Sequence, residues 1–139
     1  MTGAFVVDSS VAIAWAVPSQ ATESSIGLLG SVLAGTPIVV PVLWAFEVAN
    51  SLLVLWRRRV IQEDQYQRAR QDLALLDSII DGEGPRLALD RISLLAREHT
   101  LSVYDAVYLE LALRRAVPLA SRDSALNKAA KRAGIQTLL

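Results

Sequence analysis

The order of elements predicts an α/β fold in three layers, with helices on both faces of a mainly parallel sheet. Three observations lead there. Short apolar runs rich in β-branched residues (AFVVD, PIVVP, VPLAS) alternate with longer segments of helical period. Proline and glycine punctuate the junctions between them. Hydrophobic residues make up 53% of the 139 residues and charged residues 20%, enough apolar material for one core of ordinary size.

Residues 4–8, AFVVD, read as a short buried strand. Residues 9–17 read as a helix stopped by Pro18, and residues 22–35 as a second helix with a glycine stop. Residues 37–41 form a compact strand bounded by prolines. Residues 43–59 are helical, with Arg57, Arg58 and Arg59 at the end where cations suit the helix dipole. In residues 63–80, Tyr66, Ala69, Leu73, Leu76 and Ile80 recur at three and four, which predicts one amphipathic helix. The stripe looks exposed and supports a homodimer contact. GEGP (82–85) is a turn and residues 87–99 a helix. Residues 102–116 form another helix, with Ser102 and Asp105 spaced as a capping box. A strand at 117–121, a helix at 123–134 and a final strand at 135–139 complete the chain. No repeat or long linker divides it, so one domain covers 1–139.

The formal net charge is zero, so bulk charge does not announce a nucleic-acid partner. Its distribution is uneven. Residues 1–56 hold Asp8, Glu23 and Glu47 and no Lys or Arg, whereas the chain from Leu111 carries Arg114, Arg115, Arg122, Lys128, Lys131 and Arg132 against Asp123. The absence of cysteine excludes disulfides and thiolate metal sites and suits a cytoplasmic protein. The apolar N-terminus lacks a basic lead and contains Asp8, unlike a signal peptide. The run 42–56 is too short to span a bilayer and contains Glu47, so no membrane association is expected.

Four acids stand apart. Asp8 is the only charged residue among the first 22, and it ends the first strand. Glu47 is the only charged residue between Glu23 and Arg57, with Leu43 and Ser51 at the positions where an i,i+4 partner would sit. Asp105 lies in the apolar stretch LSVYDAVYLELA. Asp123 follows PLASR. Ligands collect at the carboxyl ends of strands in an open parallel sheet. Gathered there, these carboxylates would raise one another's pKa values unless a cation neutralised them. Hard oxygen ligands without cysteine or clustered histidine favour Mg²⁺ or Mn²⁺. Capping offers a plainer reading of Asp8, Asp105 and Asp123, though not of Glu47 in mid-helix. His99, the single histidine, reads as helix-end surface.

The ordered set of D-S-S at Asp8, E-x-x-N at Glu47 and Asn50, S-x-x-D-A-x-Y at Ser102, Asp105 and Tyr108, and S-R-D at Ser121 to Asp123 resembles the PIN-domain family. More narrowly it is similar to the VapC-type toxins of prokaryotic toxin–antitoxin pairs. The resemblance runs over nearly the whole chain. It implies a central sheet of five mainly parallel strands. It implies a Mg²⁺ or Mn²⁺ site for RNA hydrolysis, with Asp8, Glu47, Asp105 and Asp123 as catalytic and metal-binding residues. Ser10, Asn50 and Ser121 match supporting polar positions, Ser121 replacing the threonine of many relatives. A toxin homodimer and a VapB-type antitoxin covering the active site are also implied. Two alternatives share the acid after strand one: a Mg-dependent phospho-aspartate phosphatase or receiver-like domain, and a non-catalytic binding module of the same fold. The phosphatase pattern wants a second acid where Ser10 stands, and the receiver pattern an acidic pair where Ser9 follows Asp8.

Overall fold

The computed structural model describes residues 3–139. Strand β1 (Phe5–Val7) leads into α1 (Ser9–Ala16), a short 3-10 turn and α2 (Glu23–Leu33). Strand β2 (Ile38–Pro41) leads into α3 (Leu43–Arg57) and α4 (Glu63–Ala74), then β3 (Ile79–Asp81). A distorted helical stretch follows: α5 (Gly84–Leu87), a π-helical segment (Ala88–Ile92) and α6 (Ser93–His99). Helix α7 (Val103–Arg115), strand β4 (Leu119–Ala120) and α8 (Ser124–Arg132) end the fold.

The sheet is parallel throughout, in the order β3-β2-β1-β4. Its centre is sealed on both faces, which is why β1 and β2 read as unbroken apolar runs rather than alternating ones. Phe5, Val6, Val7, Ile38, Val39 and Val40 are essentially inaccessible. Each such side chain contributes roughly 1.5–3 kcal/mol of burial. Helices α1, α3 and α4 pack together, while α7 lies across β1, β2 and β4 and against α8. The chain steps from β1 to β3 in one direction and then returns past β1 to β4. Right-handed crossovers therefore place the two helix groups on opposite faces.

Three sequence expectations need correction. The described residues form four paired strands, not five: residues 135–139 contribute only one parallel bridge, Thr137 to Leu119. The predicted helix over 63–80 ends at Ala74, and Ile79–Asp81 is the edge strand β3. Ile80 happened to fall in phase with the helical stripe, so periodicity hid the strand. The stripe itself is not free: Ala69 and Leu73 are buried, and Tyr66 and Leu76 pack on the main core. The predicted helix over 87–99 is broken at Asp90, whose φ of −118° and ψ of −110° are not helical.

Candidate active site

The strand order reverses at β1, so the crevice between the carboxyl ends of β1 and β4 is the switch point of the sheet. The backbone N–H of Asp8 still pairs with Ala120 O at 3.0 Å, which fixes the two strand ends side by side. Asp8 is the residue where β1 ends and α1 begins. It is buried, 6% exposed, and its carboxylate accepts three hydrogen bonds. Ser10 Oγ donates to Oδ1 at 2.5 Å, Val11 N–H donates to the same oxygen at 3.3 Å, and Ser121 Oγ donates to Oδ2 at 2.5 Å. Ser121 comes from the far end of β4, so one carboxylate ties both sides of the switch point together.

Asp123 stands at the start of α8. Its Oδ1 accepts from Ala125 N–H at 2.8 Å and Leu126 N–H at 3.4 Å, and its own N–H donates to Ser121 Oγ at 2.9 Å. The capping reading thus holds for Asp8 and Asp123, at about 1 kcal/mol each. It does not exhaust them: among the described residues Asp123 Oδ2 has no protein donor. The predicted box at α7 is made on its Ser102 side, where Oγ accepts from Asp105 N–H at 3.1 Å.

Glu47, in mid-α3, is half-buried and receives the Tyr108 hydroxyl on Oε1 at 2.5 Å. Tyr108 lies one turn beyond Asp105 on α7 and is 1% exposed. A buried phenol must find an acceptor, and a carboxylate is the strongest available. This contact joins α3 to α7 across the sheet edge. Sequence reasoning quoted Tyr108 within D-A-x-Y but gave it no role; its spacing of three from Asp105 on an apolar helix was the available signal.

Electrostatics bind the four acids into one environment. Burial raises the pKa of Asp8, against the opposing hydrogen bonds from Ser10 and Ser121. Burial also raises Glu47, the Tyr108 bond opposes this, and repulsion from Asp105 and Asp8 adds to it. Asp105 is raised by burial first, then by the charges of Asp123 and Asp8. Burial and the adjacent Glu47 together drive the Tyr108 hydroxyl far above the ordinary phenol range, so it is a donor only. Among the described residues, none of the four acids forms an ion pair.

Geometry and charge give different measures of closeness. Among the described residues, no three Asp, Glu or His side chains converge tightly enough to hold an ion as they stand. Yet their charges act on one another. The donor set itself, hard carboxylate oxygens with no cationic partner, fits a hard divalent ion that keeps several waters. Asn50 is not bonded to the acids; it is exposed and lines a small cavity with Ser10 and Arg122. Ser10 and Ser121 are where the sequence placed them, beside the acids.

Sequence reasoning also missed an ionic lock away from the cleft. Asp81, at the end of β3, accepts from Arg114 at 2.8 and 2.9 Å and from Arg115 at 3.1 Å. Arg114 also donates to the buried Glu110 at 2.8 Å. A larger cavity of about 560 Å³ opens between β2, α3, α4 and β3, but its walls, which include Trp44, Phe46 and Leu73, contain none of the four acids.

The model of the PIN domain family matches residues 5–132 of this chain. No curated protein matches it in sequence. Among solved structures, the chain superposes on PAE2754 from Pyrobaculum aerophilum with a TM-score of 0.72 at 21% identity, covering 99% of this chain and 91% of that one. It resembles VapBC2 from Rickettsia felis, solved bound to a DNA fragment from its promoter, with a TM-score of 0.66 at 9% identity over 96% of both chains. It also resembles a toxin–antitoxin complex from Klebsiella pneumoniae, with a TM-score of 0.55 at 19% identity over 86% of both. These likenesses concern the fold. The family match spans nearly the whole sheet and all four acids, and the chain belongs to the PIN domain family.

Proposed function

We propose that this PIN domain is a metal-dependent endoribonuclease toxin of the VapC type, restrained by a VapB-type antitoxin. The observation that carries the reading is the set of four carboxylates without cationic partners, three of them raised in pKa, around the switch point of the sheet. Asp8, Glu47, Asp105 and Asp123 would hold Mg²⁺ or Mn²⁺, as donors of the right hardness. Such an ion, when bound, supplies charge neutralisation at the phosphate and a water of lowered pKa.

The residues divide the remaining work. Ser10 and Ser121 fix both oxygens of Asp8, so the carboxylate needs no reordering to act as a ligand. Tyr108 anchors Oε1 of Glu47, and among the described residues Oε2 has no protein donor, so it can serve as the proton acceptor for an attacking water. The choice of RNA rests on the resemblance of D-S-S, E-x-x-N and S-R-D to VapC-type sequences. The toxin–antitoxin assemblies among the structural neighbours support the antitoxin partner.

Exposed apolar residues offer surface for that partner and for a homodimer. Phe46 is 70% exposed, Leu75 80% and Ile80 66%. Sedimentation at micromolar concentration should show a dimer, and a monomer at every concentration would remove that part of the reading. No helix among the described residues is long and apolar enough to cross a membrane.

The test of the activity is direct. Asp8→Asn and Asp105→Asn should each lower Mn²⁺-dependent cleavage of single-stranded RNA by about a hundredfold or more, with circular dichroism unchanged. Asparagine can keep the α1 cap, so folding is spared in the first variant. Wild-type cleavage by purified Asp8→Asn would refute the catalytic assignment.

A further inference from the structure

The acid cleft has no cation of its own, yet RNA is a polyanion. A cleft of four carboxylates repels the backbone it must cut, so something beside it must attract and seat the strand. One cavity adjoins the acids through Ser10, which lines it and donates to Asp8, although none of the four acids is in its wall. It measures about 350 Å³, within the range of about 300–1,000 Å³ usual for small-ligand sites. Ser10 stands at their junction: its Oγ donates to Asp8 and accepts the backbone N–H of Arg122 at 3.0 Å.

The walls of this cavity are of three kinds. Ile13, Val54 and Leu55 give it an apolar side. Gln20 from the 3-10 turn and Asn50 and Ser51 from α3 bring two amides and a hydroxyl. Arg122 brings an exposed guanidinium whose nearest hydrogen-bond partner is Gln20 Oε1 at 3.5 Å, a weak contact that leaves its charge available. Among the described residues it forms no ion pair. A flat base can lie on the apolar side, amides read base edges, and an arginine fork takes a phosphate. A base held in a duplex could not enter, so the strand must be single.

We infer that this cavity is the subsite for one nucleotide of single-stranded RNA, the one adjoining the bond to be cut, with Arg122 on its phosphate and Gln20 and Ser51 reading its base. The inference rests on the ribonuclease reading above, but its binding half can be measured without cleavage. A fluorescein-labelled random single-stranded RNA of about a dozen nucleotides is titrated in EDTA, and again in Ca²⁺, at several salt concentrations. Arg122→Ala should weaken binding about tenfold at low salt and reduce the salt slope by about one. Gln20→Ala and Ser51→Ala should leave that slope unchanged. In Mn²⁺ they should instead flatten, several-fold, the base preference at one position beside the cut, read by sequencing the products.

Wild-type affinity and slope in Arg122→Ala, or no RNA binding by the wild type in either medium, would overturn the subsite. So would base preferences unchanged in both Gln20→Ala and Ser51→Ala. Cleavage with all three variants behaving as wild type would sink the subsite and leave the nuclease intact. Binding that depends on Arg122, with no cleavage under any metal, would sink the nuclease and leave the RNA site.

Discussion

Glu47 shows how a lone acid survives in an apolar helix. Its neighbours on α3 offer no base, and no ion pair reaches it among the described residues; the Tyr108 hydroxyl at 2.5 Å partly compensates for burial. The carboxylate nonetheless stays raised in pKa, by burial above all and then by Asp105 and Asp8. Glu47→Gln keeps an oxygen for Tyr108 and removes the repelled charge. It should therefore stabilise the protein in EDTA by roughly 1 kcal/mol, the size of a partly screened like-charge and burial term. It should also shrink the stabilisation that Mn²⁺ provides. Thermal melts of both proteins, with EDTA and with Mn²⁺, read the two effects separately. A variant that melts well below wild type in EDTA would mean that Glu47 is structural. The isolation of Glu47 was legible in the sequence, because no partner stood at three or four residues. Tyr108 as its donor was not, since the pair is 61 residues apart in the chain.

The elements differ in how plainly they were written. β1 and β2 were readable because burial on both faces leaves an unbroken apolar run between turn residues. β3 was not, because a three-residue edge strand with Ile79 and Ile80 exposed carries no such run and fell in phase with the preceding helix. The final strand was overread: residues 135–139 are apolar but meet β4 at one bridge only. What holds β3 in place is instead ionic. Arg114 bridges Asp81 on β3 and Glu110 on α7, both almost fully buried. Its hydrogen bonds hold Asp81 well below the usual carboxylate range, chiefly through Arg114. Arg114→Ala would leave Asp81 with Arg115 alone and the buried Glu110 with only Arg91 at 3.9 Å, and the expected cost is about 3 kcal/mol in chemical denaturation. A loss below about 0.5 kcal/mol, the size of an exposed pair, would show that the lock does not hold the strand. In the sequence Arg114 is only one of six basic residues after Leu111, and charge runs do not reveal which member meets a distant strand end.

For the molecule as a whole, two sets of carboxylates pull stability in opposite directions with pH. Asp8, Glu47 and Asp105 have raised pKa values in the fold, so the metal-free native state binds protons more tightly than the unfolded chain. Its stability should rise as pH falls from neutrality toward the ordinary carboxylate range. Asp81 acts the other way: its stabilisation is complete above the unfolded pKa and is lost as pH falls through the ordinary range toward its depressed value. The melting temperature in EDTA should therefore peak on the acid side of neutrality and decline on either side. Saturating Mn²⁺, which favours the ionised carboxylates, should move the peak toward neutrality. Melts from about pH 4 to 8 with and without Mn²⁺ check both statements. A melting temperature that climbs steadily to pH 8 in EDTA would show that the acids are not strained by their neighbours.

On the proposed reading, the four acids, drawn from α3, α7 and the ends of β1 and β4, form one divalent-cation site. Calorimetric titration of the purified protein with Mn²⁺ tests it most directly, in parallel with Asp8→Asn, Glu47→Gln, Asp105→Asn and Asp123→Asn. The wild type should bind saturably, and Asp8→Asn and Asp105→Asn should each lose about tenfold or more in affinity. Smaller losses should follow for Glu47→Gln and Asp123→Asn, whose carboxylates are also engaged by Tyr108 and the α8 cap. No binding by the folded wild type, or one affinity shared by all five proteins, would contradict it.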